Sequence, residues 1–219
     1  MRTAAVLLAM LLSMFRICSG AEPPLVNPAD IQRTGTIVRL PGLVIHDVAS
    51  PYLEAAGKVV RTNDLLEFIA VEPQGRDYES MLTLDCKPSA LQFALLLIGC
   101  ETSSVKQARS LLAIEVEYKD KRVPVEEWLI DRKTKKPPTG LRWVFSGSYF
   151  GKNPITNQPV FMSDAEQAHI ALWAQSSVLI NLADDRGNPY KGDDQGLEVN
   201  PAAVPPLGAA IKLIIRKKP

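Results

Sequence analysis

Histidine and cysteine are scarce in this chain, and their scarcity removes several chemistries. The 219 residues include 2 histidines and 3 cysteines. A hydrolytic triad needs a Ser or Cys nucleophile, an imidazole base and a carboxylate that orients it. His46 and His169 are the only imidazoles, and neither sits in a recognisable signature. No G-x-S-x-G elbow occurs; the "SGSYF" stretch (Ser146–Phe150) ends a strand pattern without the helix that an elbow requires. Zinc wants three or four convergent ligands and a cubane iron–sulfur cluster wants four thiolates, so the composition implies no cofactor. Gly-rich phosphate loops are missing too. Charge of either sign is not in excess, with a formal net of +1, which gives no electrostatic reason to seek nucleic acid or anionic lipid. Past the amino terminus the longest apolar run is Ala90–Gly99, interrupted by Gln92, well short of the roughly 20 residues that span a bilayer.

What is present begins with an address. Arg2 precedes an apolar run, Ala4–Met14, broken only by Ser13, and Ser19-Gly20-Ala21 offers small residues for a peptidase. This is the pattern of a secretory signal peptide over residues 1–21, with export to the periplasm or the extracellular space as its consequence. An uncleaved anchor is disfavoured by a run of about 11 residues, half of what a span needs. Lipid attachment at Cys18 is disfavoured by Arg16 and Ile17 before it. Cleavage would remove two basic residues and no acidic one, leaving 24 acids against 25 − 2 = 23 bases. Membrane contact is then expected only through the uncleaved signal. Residues 22–34 read as a polar, Pro-rich leader and residues 35–217 as a single domain.

Strand patterns dominate that domain. "TIVRL" (Thr36–Leu40) and "LVIHDV" (Leu43–Val48) flank Pro41-Gly42, and "GKVVR", "LLEFIAV" (Leu65–Val71) and "YESMLTL" (Tyr78–Leu84) follow. Leu111–Tyr118, "RWVFSGSYF" (Arg142–Phe150), "VFMSD", "HIALWA" and "AAIKLIIRK" (Ala209–Lys217) continue the series. One helix is expected at about 89–99. Pro88 stands before it, Ser89 and Gln92 form a capping box, and Gly99 is a suitable C′ residue. "PVEEWLIDRKT" suggests a second, short helix begun by Pro124. The fold class expected is α+β: mostly short mixed or antiparallel strands packed on one apolar helix. Cys86 and Cys100 bracket that helix, some 13 Å long, so two separate buried thiols are expected and no disulfide.

Four fragments in order and spacing resemble the YdjY-type domain family of exported bacterial proteins: "LLEFIAVEPQGRDYESMLTLDCKPSALQFALLLIG", "VEEWLIDRKTKKPP", "WVFSGSYF" and "VPPLGAAIKLIIR". The likeness runs from about Gly57 to Arg216. It implies an exported domain without an established biochemical role. The ferredoxin-like label of some relatives would imply a cluster, but only Cys86 and Cys100 remain here after processing. Two histidines typical of the family are also replaced, one by Tyr78 and one in the region of Gln92 and Phe93.

Among the polar residues Glu67 stands out, alone among apolar neighbours in "LLEFIAV". A buried carboxylate needs a partner or must protonate; Arg39, Arg61 and Arg142 are the candidates. A hairpin between the strands of Glu67 and Glu79 would bring the two carboxyls together, the one pairing here suited to acid–base work. Weaker binding candidates are Ser80, Trp143 and Ser148. Trp143, Phe145, Gly147 and Tyr149 share one strand face, read as interior. Asp184, Asp185, Asn188, Asp193 and Asp194 crowd one polar loop and form a weak calcium candidate. His169 is expected on an exposed strand face and His46 half-covered. The leading functional expectation is a binding or scaffold domain at the cell envelope, its partner an unknown envelope protein or small ligand. An enzyme using the Glu67/Glu79 pair, possibly glycan-active, is the alternative; a redox-associated accessory protein without its own cluster is the second.

Overall fold

The computed structural model describes residues 22–153 and 155–219; the signal-peptide reading and Cys18 fall outside them. In chain order the strands are β1 (Gln32–Thr34), β2 (Ile37–Leu40), β3 (Leu43–His46), β4 (Tyr52–Val59), β5 (Leu65–Leu66), β6 (Phe68–Val71) and β7 (Ser80–Leu84). Helix α1 (Pro88–Leu97) follows, then β8 (Leu111–Tyr118), β9 (Lys121–Pro124), β10 (Leu129–Asp131), β11 (Trp143–Phe145), β12 (Phe150–Lys152) and β13 (Pro159–Phe161). The chain continues with α2 (Met162–Glu166), β14 (Ala168–Ala171), β15 (Ile180–Leu182), β16 (Leu197–Val199) and β17 (Ala210–Lys217).

The strands close into a barrel. The path runs β4-β17-β8-β11-β15-β14-β6-β7, and β7 pairs back onto β4. All these junctions are antiparallel except β14–β15 and β6–β7. Closure depends on β4 serving two partners along one edge. Its first half, Leu53 to Ala55 included, pairs with β3, and Gly57–Val59 pair with β7. Gly57 makes the seam possible: a Cβ there would lie 2.2 Å from the carbonyl oxygen of Thr83. The β1–β2–β3 meander extends from the barrel beside this seam, and β10–β16–β5 form a small separate sheet.

The expected α+β arrangement, with strands packed on one apolar helix, is therefore wrong. Side chains from all eight barrel strands, among them Leu53, Leu213, Ile114, Phe145, Ile180, Ile170, Ala70 and Leu82, fill one continuous core. An eight-stranded barrel has just enough interior for side chains, so the sheet supplies its own core. Helix α1 contributes Ala90, Leu91, Ala94 and Leu95 to that core and lies against β3, β14 and α2. It is a cover on the barrel. Pattern within a strand reports which face is buried; closure is set by which distant strands pair, and the sequence pattern does not carry that.

Local readings changed as well. The capping box does not form: Lys87 is the N-cap, the Ser89 N–H donates to Asp164 and Gln92 accepts from the Ser148 N–H. At its other end α1 stops in a Schellman arrangement, with Gly99 at φ +82°, its N–H on Leu96 O and the Cys100 N–H on Leu95 O. "PVEEWLID" forms a single 3-10 turn, Val125–Trp128, and then β10. Gln32–Thr34, in the stretch read as leader, form β1. Cys86 and Cys100 are free and buried. No helix of the described residues is long and apolar enough to cross a membrane.

Candidate functional site

Glu67 sits where two sheets part. The "LLEFIAV" stretch reads as one strand, yet the chain bends at Glu67, leaving Leu65–Leu66 in the small sheet and Phe68–Val71 in the barrel. The bend turns a carboxylate out of an otherwise apolar run. Glu67 is 9% exposed, and its partner is none of the three expected arginines. The Tyr190 hydroxyl donates to Glu67 Oε1.

Glu79 lies beside it, though by a different route from the expected hairpin. β6 and β7 run parallel, with Phe68 opposite Ser80. Glu67 and Glu79 each immediately precede that pair, and the Glu67 N–H donates to the Glu79 carbonyl at 2.9 Å. Glu79 itself ends a 3-10 turn, Asp77–Glu79. Its carboxyl is pushed above the usual range first by partial burial and then by the negative charge of Glu67, against the lowering pull of Arg76 and Arg61. The Tyr190 phenol is pushed up as well, mainly by its hydrogen bond to Glu67.

Both arginines are committed elsewhere. Arg61 pairs with Asp64 at 2.9 Å and donates to the Tyr78 carbonyl. Arg76 reaches Glu166 at 3.3 Å and lies 4.3 Å over the Phe68 ring. Among the described residues neither Glu67 nor Glu79 forms an ion pair. Aromatic rings complete the patch: Trp173 meets Tyr190 edge-on at 5.9 Å and Phe68 at 6.3 Å, and Tyr190 and Tyr78 are largely exposed.

The polar loop after β15 delivers Tyr190. Asn188 accepts from the Tyr190 N–H and starts a 3-10 turn. Gly187 presses on Leu172, where a Cβ would come within 2.1 Å of the Leu172 carbonyl oxygen. The Leu172 N–H in turn donates to Glu67 O. The loop thus rests on the residue that rests on Glu67. Sequence reasoning passed over Tyr190, Trp173 and Arg76; the only signal was an aromatic residue inside an otherwise polar loop, which carries no distance information.

Other candidates fall away from this patch. Ser80 is buried and donates to Leu82 O. Trp143 is fully buried, with its indole N–H on Glu126. Ser148 donates to Ser177 O and accepts from the Ser163 N–H. Tyr149, read as interior, is 51% exposed. In the proposed calcium loop, Asp184 caps and pairs with Arg186, Asp185 pairs with Lys191, and Asn188 is occupied as above; Asp193 and Asp194 are exposed. No group of three or more His, Cys, Asp or Glu among the described residues is placed to hold a metal ion.

His169 corrects a further expectation. It is fully buried, and its Nε2 lies 2.8 Å from the Cys86 carbonyl and 3.9 Å from the Cys86 sulfur. A carbonyl only accepts, so Nε2 carries the proton and the bare Nδ1 is left without a partner. Burial lowers His169 to about 4 and raises Cys86 to about 12. The pair is therefore neutral imidazole beside neutral thiol, without the thiolate that nucleophilic or redox cysteine chemistry requires. Burial likewise raises Cys100, to about 11. His46 stacks on Tyr52 at 4.2 Å and faces Glu54 at 3.5 Å.

No protein-family model, curated protein or solved structure matches this chain.

Proposed function

We propose that this chain is an exported binding module of the cell envelope and that the Glu67–Glu79 patch takes a cationic group, an ammonium or guanidinium, from its ligand. The observation that carries the reading is two adjacent carboxyls without an ion-pair partner, framed by Trp173, Tyr190 and Phe68. A cation relieves the repulsion from Glu67 that, after partial burial, raises Glu79, and it gains attraction from the exposed Tyr190 ring. The amino-terminal signal pattern and the resemblance to YdjY-type exported proteins support the location.

The test uses Trp173, the one tryptophan outside the buried set, since Trp128 and Trp143 are 4% and 0% exposed. Tetramethylammonium chloride should change its fluorescence saturably where sodium chloride does not, and Glu67→Gln with Glu79→Gln should abolish the response. A linear, unsaturable response, or one indifferent to both substitutions, defeats the reading.

An acid–base enzyme is the second reading, favoured by the elevated Glu79 beside Glu67. Glu79 would donate a proton and Glu67 serve as the companion carboxylate. Chromogenic glycosides would then be cleaved with a rate that falls as pH rises through the raised Glu79 value, and Glu79→Gln would remove the activity. Absence of turnover by wild type across such a panel returns the patch to binding alone.

A further inference from the structure

A second site lies on a different surface. A groove of about 420 Å³ opens between the 103–106 loop after α1, residues 146–147 after β11 and the 174–176 loop before β15. That volume is in the range of small-molecule pockets. Three serine hydroxyls in it can offer hydrogen. Ser103 Oγ accepts from the Arg109 N–H, Ser104 Oγ from the Gln107 N–H and Ser146 Oγ from Asn181 Nδ2. Each hydroxyl oxygen is thus engaged as an acceptor, and its own proton is free to be given away.

Charge points the same way. Lys106 lines the groove and forms no ion pair among the described residues, and no carboxylate lines it. The arrangement is rigidly held: Asn181, 1% exposed, accepts from the Gln175 N–H and donates to Ser146 Oγ, Gln175 O and Val178 O. At that exposure Asn181 is out of a ligand's reach, so it is a positioning residue. Val105 and Ala174 supply an apolar wall.

We propose that this groove binds the oxyanion end of a small organic acid, its carboxylate or phosphate received by Lys106 and the Ser103, Ser104 and Ser146 hydroxyls. The proposal is independent of the cation patch at Glu67, which lies on other residues.

Amide chemical shifts of the purified protein provide the test, with sodium phosphate and sodium acetate as probes and acetamide as the uncharged control. Phosphate, acetate or both should shift Ser103–Lys106 and Gln175–Ser176 saturably, with a dissociation constant on the order of 1 mM, and the stronger of the two identifies the acid. Lys106→Glu should weaken the binding by about tenfold or more, while Lys106→Arg retains it. Lys106 is exposed, so neither substitution endangers folding. Saturation by acetamide as strong as by the anions, no saturable shift with either anion, or shifts unaltered by Lys106→Glu would each overturn the proposal.

Discussion

The two sides of this barrel are built on different rules. Along β4 and most of β8 burial alternates residue by residue, as it does in β17 up to the wholly buried Leu213–Ile215: Leu53, Ala55, Gly57 and Val59 point in, while Glu54, Ala56 and Lys58 meet solvent in varying degree. Along β6, β7 and β14 every residue is buried, on both faces. The first side is an ordinary half-wet wall. The second is covered by α1, α2 and the long loops, so any polar group on it must be satisfied by a specific partner or left as an orphan. Glu67, Ser80, His169 and the unpartnered Thr83 hydroxyl all belong to this covered side or its edge. The chemistry of the molecule is concentrated where alternation fails.

Substitutions should separate the two sides, and the covered side should respond most. Trp143→Ala removes a fully buried indole from β11, whose three residues are all buried like those of the covered strands, and should cost about 3–5 kcal/mol in urea unfolding. A loss below about 1 kcal/mol would mean that this side is not packed as described. Next in size is an acid effect at His169. Its value of about 4 in the fold lies below the ordinary 6.5, so folding favours the neutral imidazole. That stabilisation is complete above pH 6.5 and is lost as pH falls from 6.5 towards 4, in total on the order of 3 kcal/mol at about 1.4 kcal/mol per pH unit. His169→Gln keeps an N–H donor for the Cys86 carbonyl but does not titrate. Unfolding free energies measured at several pH values should therefore show wild type losing more than the variant as pH falls from 6.5 towards 4, so that the difference between the two changes by about 3 kcal/mol. Parallel curves would place the acid sensitivity elsewhere.

The same contrast decides what was legible in the sequence. "TIVRL", "LVIHDV", the Leu111–Tyr118 run and "AAIKLIIRK" each contain a strand, and half-exposed strands tend to print a period of two. "LLEFIAV" and "HIALWA" carry no such period, being apolar but for Glu67 and His169. The bend at Glu67, the burial of His169 and the strand Ile180–Leu182 were accordingly hidden. Glu67 was conspicuous as a lone acid, but its closeness to Glu79 comes from the parallel β6–β7 pairing and not from the expected hairpin. Tyr190 was invisible, since nothing local ties residue 190 to residue 67. Barrel closure was hidden for the same reason: β4 meets β17 across most of the chain.

Gly187 tests the link between the covered side and the loop that serves it. A methyl group there would run into the Leu172 carbonyl, so Gly187→Ala should push the 183–196 loop outward at a cost of about 1–3 kcal/mol. The Tyr190 hydroxyl should leave Glu67, and its raised phenol value should fall back towards 10. Ultraviolet titration of tyrosine ionisation reads this directly, with Tyr190→Phe identifying the affected transition. A variant with an unchanged titration would show that the Tyr190 contact does not depend on the Gly187 anchor.

The smallest effects belong to the half-wet wall. Across its outer surface His46, Glu54, Lys212, Glu117 and Arg122 form a ladder with contacts of 3.5, 3.8, 3.3 and 2.8 Å in that order. Glu117 is held below the usual carboxylate range chiefly by its hydrogen bond from Arg122. These charges stand in water, where salt screens them and ordering long side chains offsets much of the attraction. Lys212→Ala should thus cost only about 0.5–1 kcal/mol, shrinking further in 1 M salt, where the Debye length is about 3 Å. Lys212 touches two carboxylates, so its removal also leaves Glu54 and Glu117 to repel one another across β17, and this sets the upper end of the range. A loss that matches Trp143→Ala, or one that salt does not reduce, would mean that the ladder is as water-excluded as the covered side and would erase the distinction between the two.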